Sequence, residues 1–243
     1  MATELSDKRL AAEVKETALK VGADLVGVVS AETIDAFPKQ WVGWKIQDYT
    51  QKTTEIMEDA KFVVVLGCHV WDDILEVALR KKDAWMYPGY FPLSTVTREV
   101  AFCLERKGYK AIAFPPRLPL KRLAQLAGFG AFGKNSLIIN PNFGPWIRLG
   151  AVLTNAEIVA DKPFEEDLCG DCENCIEACP VNALAPYKVD SEKCLVGIHL
   201  LDQEIPNTNL RKILSHYEPT LTKNSHLMCM ECQKACKFGK NRL

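Results

Sequence analysis

Apolar residues recur at helical spacing near the start of the chain. Leu10, Val14, Ala18 and Val21 fall on one face and predict an amphipathic helix. The period then changes. Residues 24–29 and 61–70 are short, nearly continuous apolar runs, the pattern of strands covered on both faces. A helix is predicted over residues 95–107, stopped by Gly108, and a strand over 110–114. Pro115, Pro116 and Pro119 punctuate the chain before a further helix over 120–127. Residues 136–140 and 146–154 read as strands, divided by the turn Pro141-Asn142-Phe143-Gly144-Pro145. This alternation predicts a layered α/β domain over residues 1–160. The polar, acidic stretch 155–166 marks a boundary to a second domain over residues 161–243.

Composition supports a folded protein: of 243 residues, 48% are hydrophobic and 25% charged. Lys plus Arg total 30 and Asp plus Glu 31, a formal charge of −1. No apolar run reaches the ~18 residues of a membrane span; the longest covers residues 62–71, so no membrane partner is expected. The N-terminus, Met-Ala-Thr-Glu-Leu-Ser-Asp-Lys, lacks the form of a signal peptide, and a cytoplasmic location is expected. In a reducing compartment, clustered cysteines point to metal-bound thiolates and not to disulfides.

Eight of the ten cysteines lie between Cys169 and Cys236. Cys169, Cys172, Cys175 and Cys179 form C-x2-C-x2-C-x3-C followed by Pro180, the bacterial ferredoxin run. Cys229, Cys232 and Cys236 repeat its last three positions, and Cys194 between the motifs completes eight. Two [4Fe–4S] clusters require eight thiolates. In two-cluster ferredoxins the fourth cysteine of a run ligates the other cluster. That rule pairs Cys169, Cys172 and Cys175 with Cys236, and Cys179 and Cys194 with Cys229 and Cys232. Two zinc sites are the alternative, although zinc favours separated C-x2-C pairs. Cys68 and Cys103 lie in apolar stretches and read as small buried hydrophobes.

The segment Gly128-Phe129-Gly130-Ala131-Phe132-Gly133-Lys134-Asn135 fits G-x-G-x-x-G and nearly fits a P-loop. Both phosphate-binding motifs need a strand before the glycines and a helix after them. Here the order is reversed, and Asn135 replaces the magnesium-binding hydroxyl, so the loop is not read as a nucleotide site.

Leu126-Ala127-Gly128-Phe129-Gly130, Gly133-Lys134-Asn135-Ser136-Leu137, Phe143-Gly144-Pro145 and Arg148-Leu149-Gly150-Ala151-Val152-Leu153-Thr154 precede the cysteines in that order. The arrangement resembles the epoxyqueuosine reductase and reductive dehalogenase superfamily. The resemblance implies a nitroreductase-like α/β domain against a ferredoxin-like two-cluster domain, with base-off cobalamin between them. It implies that Gly133, Lys134, Asn135, Ser136 and Gly144 line the corrinoid. The expected activity is reduction of a small-molecule or protein-bound substrate, with electrons from a donor such as ferredoxin or flavodoxin. A non-catalytic electron carrier is the alternative, as is a cleft holding flavin or nothing. No catalytic residue is assigned, although Tyr87 or Tyr90 could stand in for a dehalogenase tyrosine. Residues 87–98 lack the Asp-Tyr-His segment of the tRNA-acting members, the charge is near zero, and the sequence ends seven residues after Cys236. On those grounds tRNA is not expected as a partner.

Overall fold

A computed structural model describes residues 2–42, 46–82, 84–200 and 208–240. Helix α1 (Ala2–Lys20) leads into β1 (Leu25–Ser30), which pairs antiparallel with β2 (Phe62–His69). The chain continues through β3 (Val77–Lys81), β4 (Ala84–Met86), α2 (Phe91–Glu105), β5 (Ala111–Ala113) and α3 (Leu120–Leu126). A short ladder of β6 (Ala131–Phe132) with β7 (Ile138–Ile139) precedes β8 (Ile147–Thr154). The central sheet has the order β1-β2-β8-β5, and its three ladders are antiparallel.

Successive side chains of a strand point to opposite faces, so the apolar run in β2 needs cover on both. Val64, Leu66 and Cys68 pack with Val14 and Ala18 of α1 and Leu93 and Val100 of α2. Val63 and Val65 pack with Leu123, Ala124 and Leu126 of α3. Val63, Val64, Val65 and Leu66 are each 0% exposed, and each contributes roughly 1.5–3 kcal/mol by leaving water. Cys68 and Cys103 are both buried, and burial pushes the Cys68 thiol up to about 12. Helix α2 starts at Phe91, earlier than its pattern predicts, because Pro92 sits in the first turn, where its missing N–H is not needed.

The glycine-rich loop runs from a helix into a strand, as its flanks predict. Its glycines serve close packing: a Cβ on Gly130 would lie 2.0 Å from the Ile139 carbonyl oxygen. Gly130→Ala is therefore expected to destabilise the fold by about 1–3 kcal/mol, read as a lower urea midpoint with an unchanged slope.

Beyond β8 come α4 (Asn174–Glu177), β9 (Leu184–Ala185), β10 (Lys188–Val189), α5 (Leu195–Leu200), α6 (Thr208–Tyr217), β11 (Thr220–Thr222), β12 (Ser225–Leu227) and α7 (Glu231–Lys234). β12 pairs with β3, placing Ser225 opposite Leu79, in a second sheet of order β11-β12-β3-β4. Glu76 before β3 forms an ion pair with Arg148 of β8, and the Arg148 guanidinium lies 5.3 Å from the Tyr90 ring centre.

Candidate cluster and cofactor site

The two cysteine motifs fold alike. Glu173 and Met230 precede the single-turn helices α4 and α7 with φ −125° in both and ψ of 12° and 9°. Ile176 N donates to Glu173 O at 2.8 Å, and Gln233 N donates to Met230 O at 2.9 Å. Each turn ends by presenting a cysteine: Cys179 N donates to Ile176 O at 3.2 Å and Cys236 N to Gln233 O at 3.1 Å. The sequence repeat is thus a structural repeat.

Eight thiols surround two cavities. Cys169, Cys172, Cys175 and Cys236 line one; Cys179, Cys194, Cys229 and Cys232 line the other. Burial pushes up the thiols of Cys175, Cys194, Cys229, Cys232 and Cys236, that of Cys229 to about 12. For Cys175 and Cys232, neighbouring sulfurs are the next cause. Thiols so placed ionise against a bound cationic core, and soft sulfur donors in sets of four suit iron–sulfur clusters. Among the described residues, no three His, Cys, Asp or Glu side chains converge to hold a single metal ion. Backbone groups add to each ring: Ala183 N donates to Cys179 Sγ at 3.3 Å, and Cys169 N donates to Asp167 Oδ1 at 3.0 Å.

The loop after α3 lies against both rings. Gly133 N donates to Leu137 O at 2.7 Å and Ser136 N to Gly133 O at 2.9 Å, closing a tight turn. Lys134 is buried beside the first ring, with Nζ 3.4 Å from Glu173 Oε1. Asn135 borders both rings, and its Nδ2 donates to the Cys232 carbonyl at 3.5 Å. Ser136 adopts a left-handed backbone (φ 62°), and its buried Oγ has no hydrogen-bond partner among the described residues. Gly144 stands apart: a Cβ there would lie 2.3 Å from Phe238 O, and one on Gly239 would lie 2.3 Å from Phe143 O. This reciprocal contact fastens the chain just after Cys236 to the turn at 141–145.

A cleft of about 600 Å³ adjoins the second ring, within the usual size of cofactor sites. Trp41, Leu118, Leu120, Phe132 and Val189 supply apolar wall, and Gln40, Thr50, Lys121, Ser136, Lys188 and Ser191 supply polar groups. Lys121, Ser136 and Val189 border both the cleft and the second ring. Apolar wall with an unsatisfied hydroxyl fits a large organic cofactor better than water. Lys121 carries no motif signal, and only the structure shows its Nζ turned inward to the Ser136 carbonyl at 2.7 Å; burial pushes its ammonium down. Tyr87 and Tyr90 meet edge to face at 6.4 Å between ring centres, and neither lines the cleft.

Two four-thiol rings carried beside a layered α/β sheet define a two-cluster iron–sulfur protein, and residues 168–239 match the 4Fe-4S double cluster binding domain. An epoxyqueuosine reductase from Prochlorococcus marinus is 38% identical over 127 residues, 51% of this chain and 37% of that enzyme. One from Cyclobacterium marinum is 25% identical over 251 residues, 93% of this chain and 78% of that enzyme. A solved epoxyqueuosine reductase carrying a tRNA-Tyr epoxyqueuosine-modified stem loop has a TM-score of 0.72 at 19% identity, covering 96% of this chain and 66% of its own. A B12-dependent reductive dehalogenase has a TM-score of 0.63 at 19% identity and covers 97% of this chain and 33% of its own. The chain carries a double-cluster iron–sulfur domain, is similar in sequence to epoxyqueuosine reductases, and shares its fold with solved epoxyqueuosine reductases and reductive dehalogenases. No helix among the described residues is long and apolar enough to cross a membrane.

The expectation against tRNA does not stand. A relative matched over 93% of this chain is an epoxyqueuosine reductase, and a solved epoxyqueuosine reductase of the same fold carries a tRNA stem loop. A net charge of −1 is a sum over the chain; nucleic-acid contact depends on how charge is distributed over the surface, and the sum is silent on that.

Proposed function

We propose that this protein is a reductase in which two [4Fe–4S] clusters deliver electrons to a corrinoid, base-off cobalamin, held in the cleft. Residues 1–160 form the α/β domain and residues 161–243 the cluster domain. Cys169, Cys172, Cys175 and Cys236 hold the first cluster; Cys179, Cys194, Cys229 and Cys232 hold the second. The observation that carries this reading is the wall common to the second ring and the cleft, where Lys121, Ser136 and Val189 border both. An occupant of the cleft therefore stands against the second cluster.

The corrinoid supplies reducing chemistry that amino-acid side chains lack. The chain provides position and exclusion of water. Leu118, Leu120 and Phe132 form a dry wall, Ser136 Oγ offers an unused hydrogen-bonding group, and Lys134 and Asn135 hold the loop to the cluster domain. Reducing equivalents come from a low-potential donor such as ferredoxin or flavodoxin. The relatives, named epoxyqueuosine reductases, make a tRNA-borne nucleoside the first substrate to assay, followed by small-molecule and protein-bound substrates.

The test is anaerobic reconstitution with iron and sulfide followed by titration with hydroxocobalamin. The expected result is about eight irons per chain and stoichiometric uptake of the corrinoid with a base-off optical spectrum. Full iron without corrinoid uptake would establish instead an electron carrier that reduces a partner protein.

A further inference from the structure

Two exposed aromatic rings line the cleft, one from the α/β part of the chain and one from the cluster part. Trp41 is 55% exposed and Tyr187 48%. Neither borders the second ring, unlike Lys121, Ser136 and Val189, so both stand on the outer side of the cleft. Each is held in place. Trp41-Val42 pairs antiparallel with Asp48-Tyr49, and the Tyr49 ring meets the indole edge to face at 5.2 Å. Thr50 N donates to Gln40 O at 2.8 Å and Gln51 N to Arg117 O at 3.0 Å, which fixes this hairpin to the loop before α3. Tyr187 stands in the turn between β9 and β10 with a left-handed backbone (φ 63°), a place more usual for Gly or Asn. Its N donates to Lys134 O at 3.1 Å. Among the described residues no ring or cation packs on Tyr187, and Tyr49 is the sole ring against Trp41.

Large rings left in water forgo the gain of burial. Held at the mouth of a cleft, they are pre-organised to cover the face of a flat π-system, and little ordering is needed when one arrives. The charge of the lining narrows the choice of ligand. It holds two lysines, Lys121 and Lys188, and no carboxylate. Acids on the two hairpins are engaged nearby: Asp48 pairs with Arg117, and Asp190 with Lys193. Lys188 is in no ion pair among the described residues. A flat ring that carries a negative group therefore meets matching chemistry for both of its features.

We propose that Trp41 and Tyr187 are specificity-determining residues that clamp a flat aromatic ring bearing a negative group, as a nucleotide base or an aromatic acid presents it, at the mouth of the cleft, with Lys188 toward the negative group. The clamped ring stands over the occupant of the inner cleft. This inference rests on the cleft being the reaction site of the proposed function. The clamp itself needs neither electron transfer nor cobalamin, so the two are tested apart.

The experiment is equilibrium dialysis of guanosine monophosphate and of para-hydroxybenzoate against the iron-reconstituted full chain, with and without hydroxocobalamin. At least one probe should bind at millimolar concentration. Ribose phosphate, which keeps the anion and lacks the ring, should bind roughly tenfold more weakly, the effect of one stacked base. W41A, W41L and Y187A should each weaken the bound probe by roughly tenfold; the leucine keeps apolar area and loses the π-face. W41F and Y187F should bind as the wild-type chain does. K188Q should weaken guanosine monophosphate and leave guanosine unchanged. Iron content shows which variants are folded, and the Trp41 and Tyr187 series each decide the matter if the other fails to load. Preference for guanosine monophosphate assigns the ring to a nucleotide, and preference for para-hydroxybenzoate assigns it to a small aromatic acid. No binding of either probe, or loaded W41A and Y187A chains that bind as the wild type does, overturns the proposal. Displacement of the probe by hydroxocobalamin overturns it too, since the rings would then serve the corrinoid. Failure of the proposed function is seen separately, as probe binding by a chain that takes up no hydroxocobalamin.

Discussion

Replacing Cys236 with alanine should empty the ring of Cys169, Cys172 and Cys175 and leave the other ring loaded. Iron per chain should fall by about half, from about eight, and one of two paramagnetic signals should vanish. Sequence adjacency argues for the opposite result, since Cys236 belongs by spacing to the motif of Cys229 and Cys232. Geometry decides between them. Helix α7 is a single turn, and Cys236 leaves its end on the side of Cys169 and Cys172, whose sulfurs it feels. Cys179 leaves α4 in the mirror sense, toward Cys194. Cys179→Ala should therefore abolish the signal that Cys236→Ala retains. Cys68→Ala, in the sheet core, should leave iron unchanged. Loss of one and the same signal in Cys236→Ala and Cys229→Ala would disprove the crossing.

Glu76→Gln should cost about 3–5 kcal/mol of stability, because it strands a buried guanidinium. The side chains of Arg148 and Glu76 are 16% and 3% exposed. Arg148 belongs to the central sheet, whereas the Glu76 carbonyl accepts from Met228 N at 3.0 Å beside β12. The pair thus ties one sheet to the other at the point where the last cysteine motif begins. Urea unfolding of Glu76→Gln, Arg148→Met and the combined variant checks this. The combined variant should lose less than the two single losses added, because neither charge is left alone. Full additivity would mean that the ion pair contributes nothing as a pair.

The sheet core was legible because burial on both faces writes itself as an unbroken apolar run, as in residues 62–66. The cysteine rings were legible because cluster ligation demands fixed spacing. The second sheet was not. Val77-Ala78-Leu79-Arg80-Lys81 shows no clean alternation, and its partner Ser225–Leu227 is remote in sequence, so only tertiary contact pairs them. Lys121 was equally hidden, since Leu-Lys-Arg-Leu in a helix reads as an ordinary solvated turn. Its inward turn depends on the left-handed Ser136 presenting a carbonyl to it. The close approach of Gly144 to Phe238 was also hidden, because it joins residues remote in sequence.

The reciprocal approach of Gly144 to Phe238 and of Gly239 to Phe143 has a consequence for the order of events during synthesis. A ribosome releases the α/β sheet first, then Cys169 to Cys179, then Cys194. At that stage each ring has only part of its thiols, and the strand that pairs with β3 has not emerged. Cys229 and Cys232 close one ring and Cys236 the other, within a few residues of each other, and the glycine contact then clamps the tail. Partial chains therefore offer no complete cage to iron. Cluster insertion waits for the segment from Cys229 to Cys236, with both cages closing together.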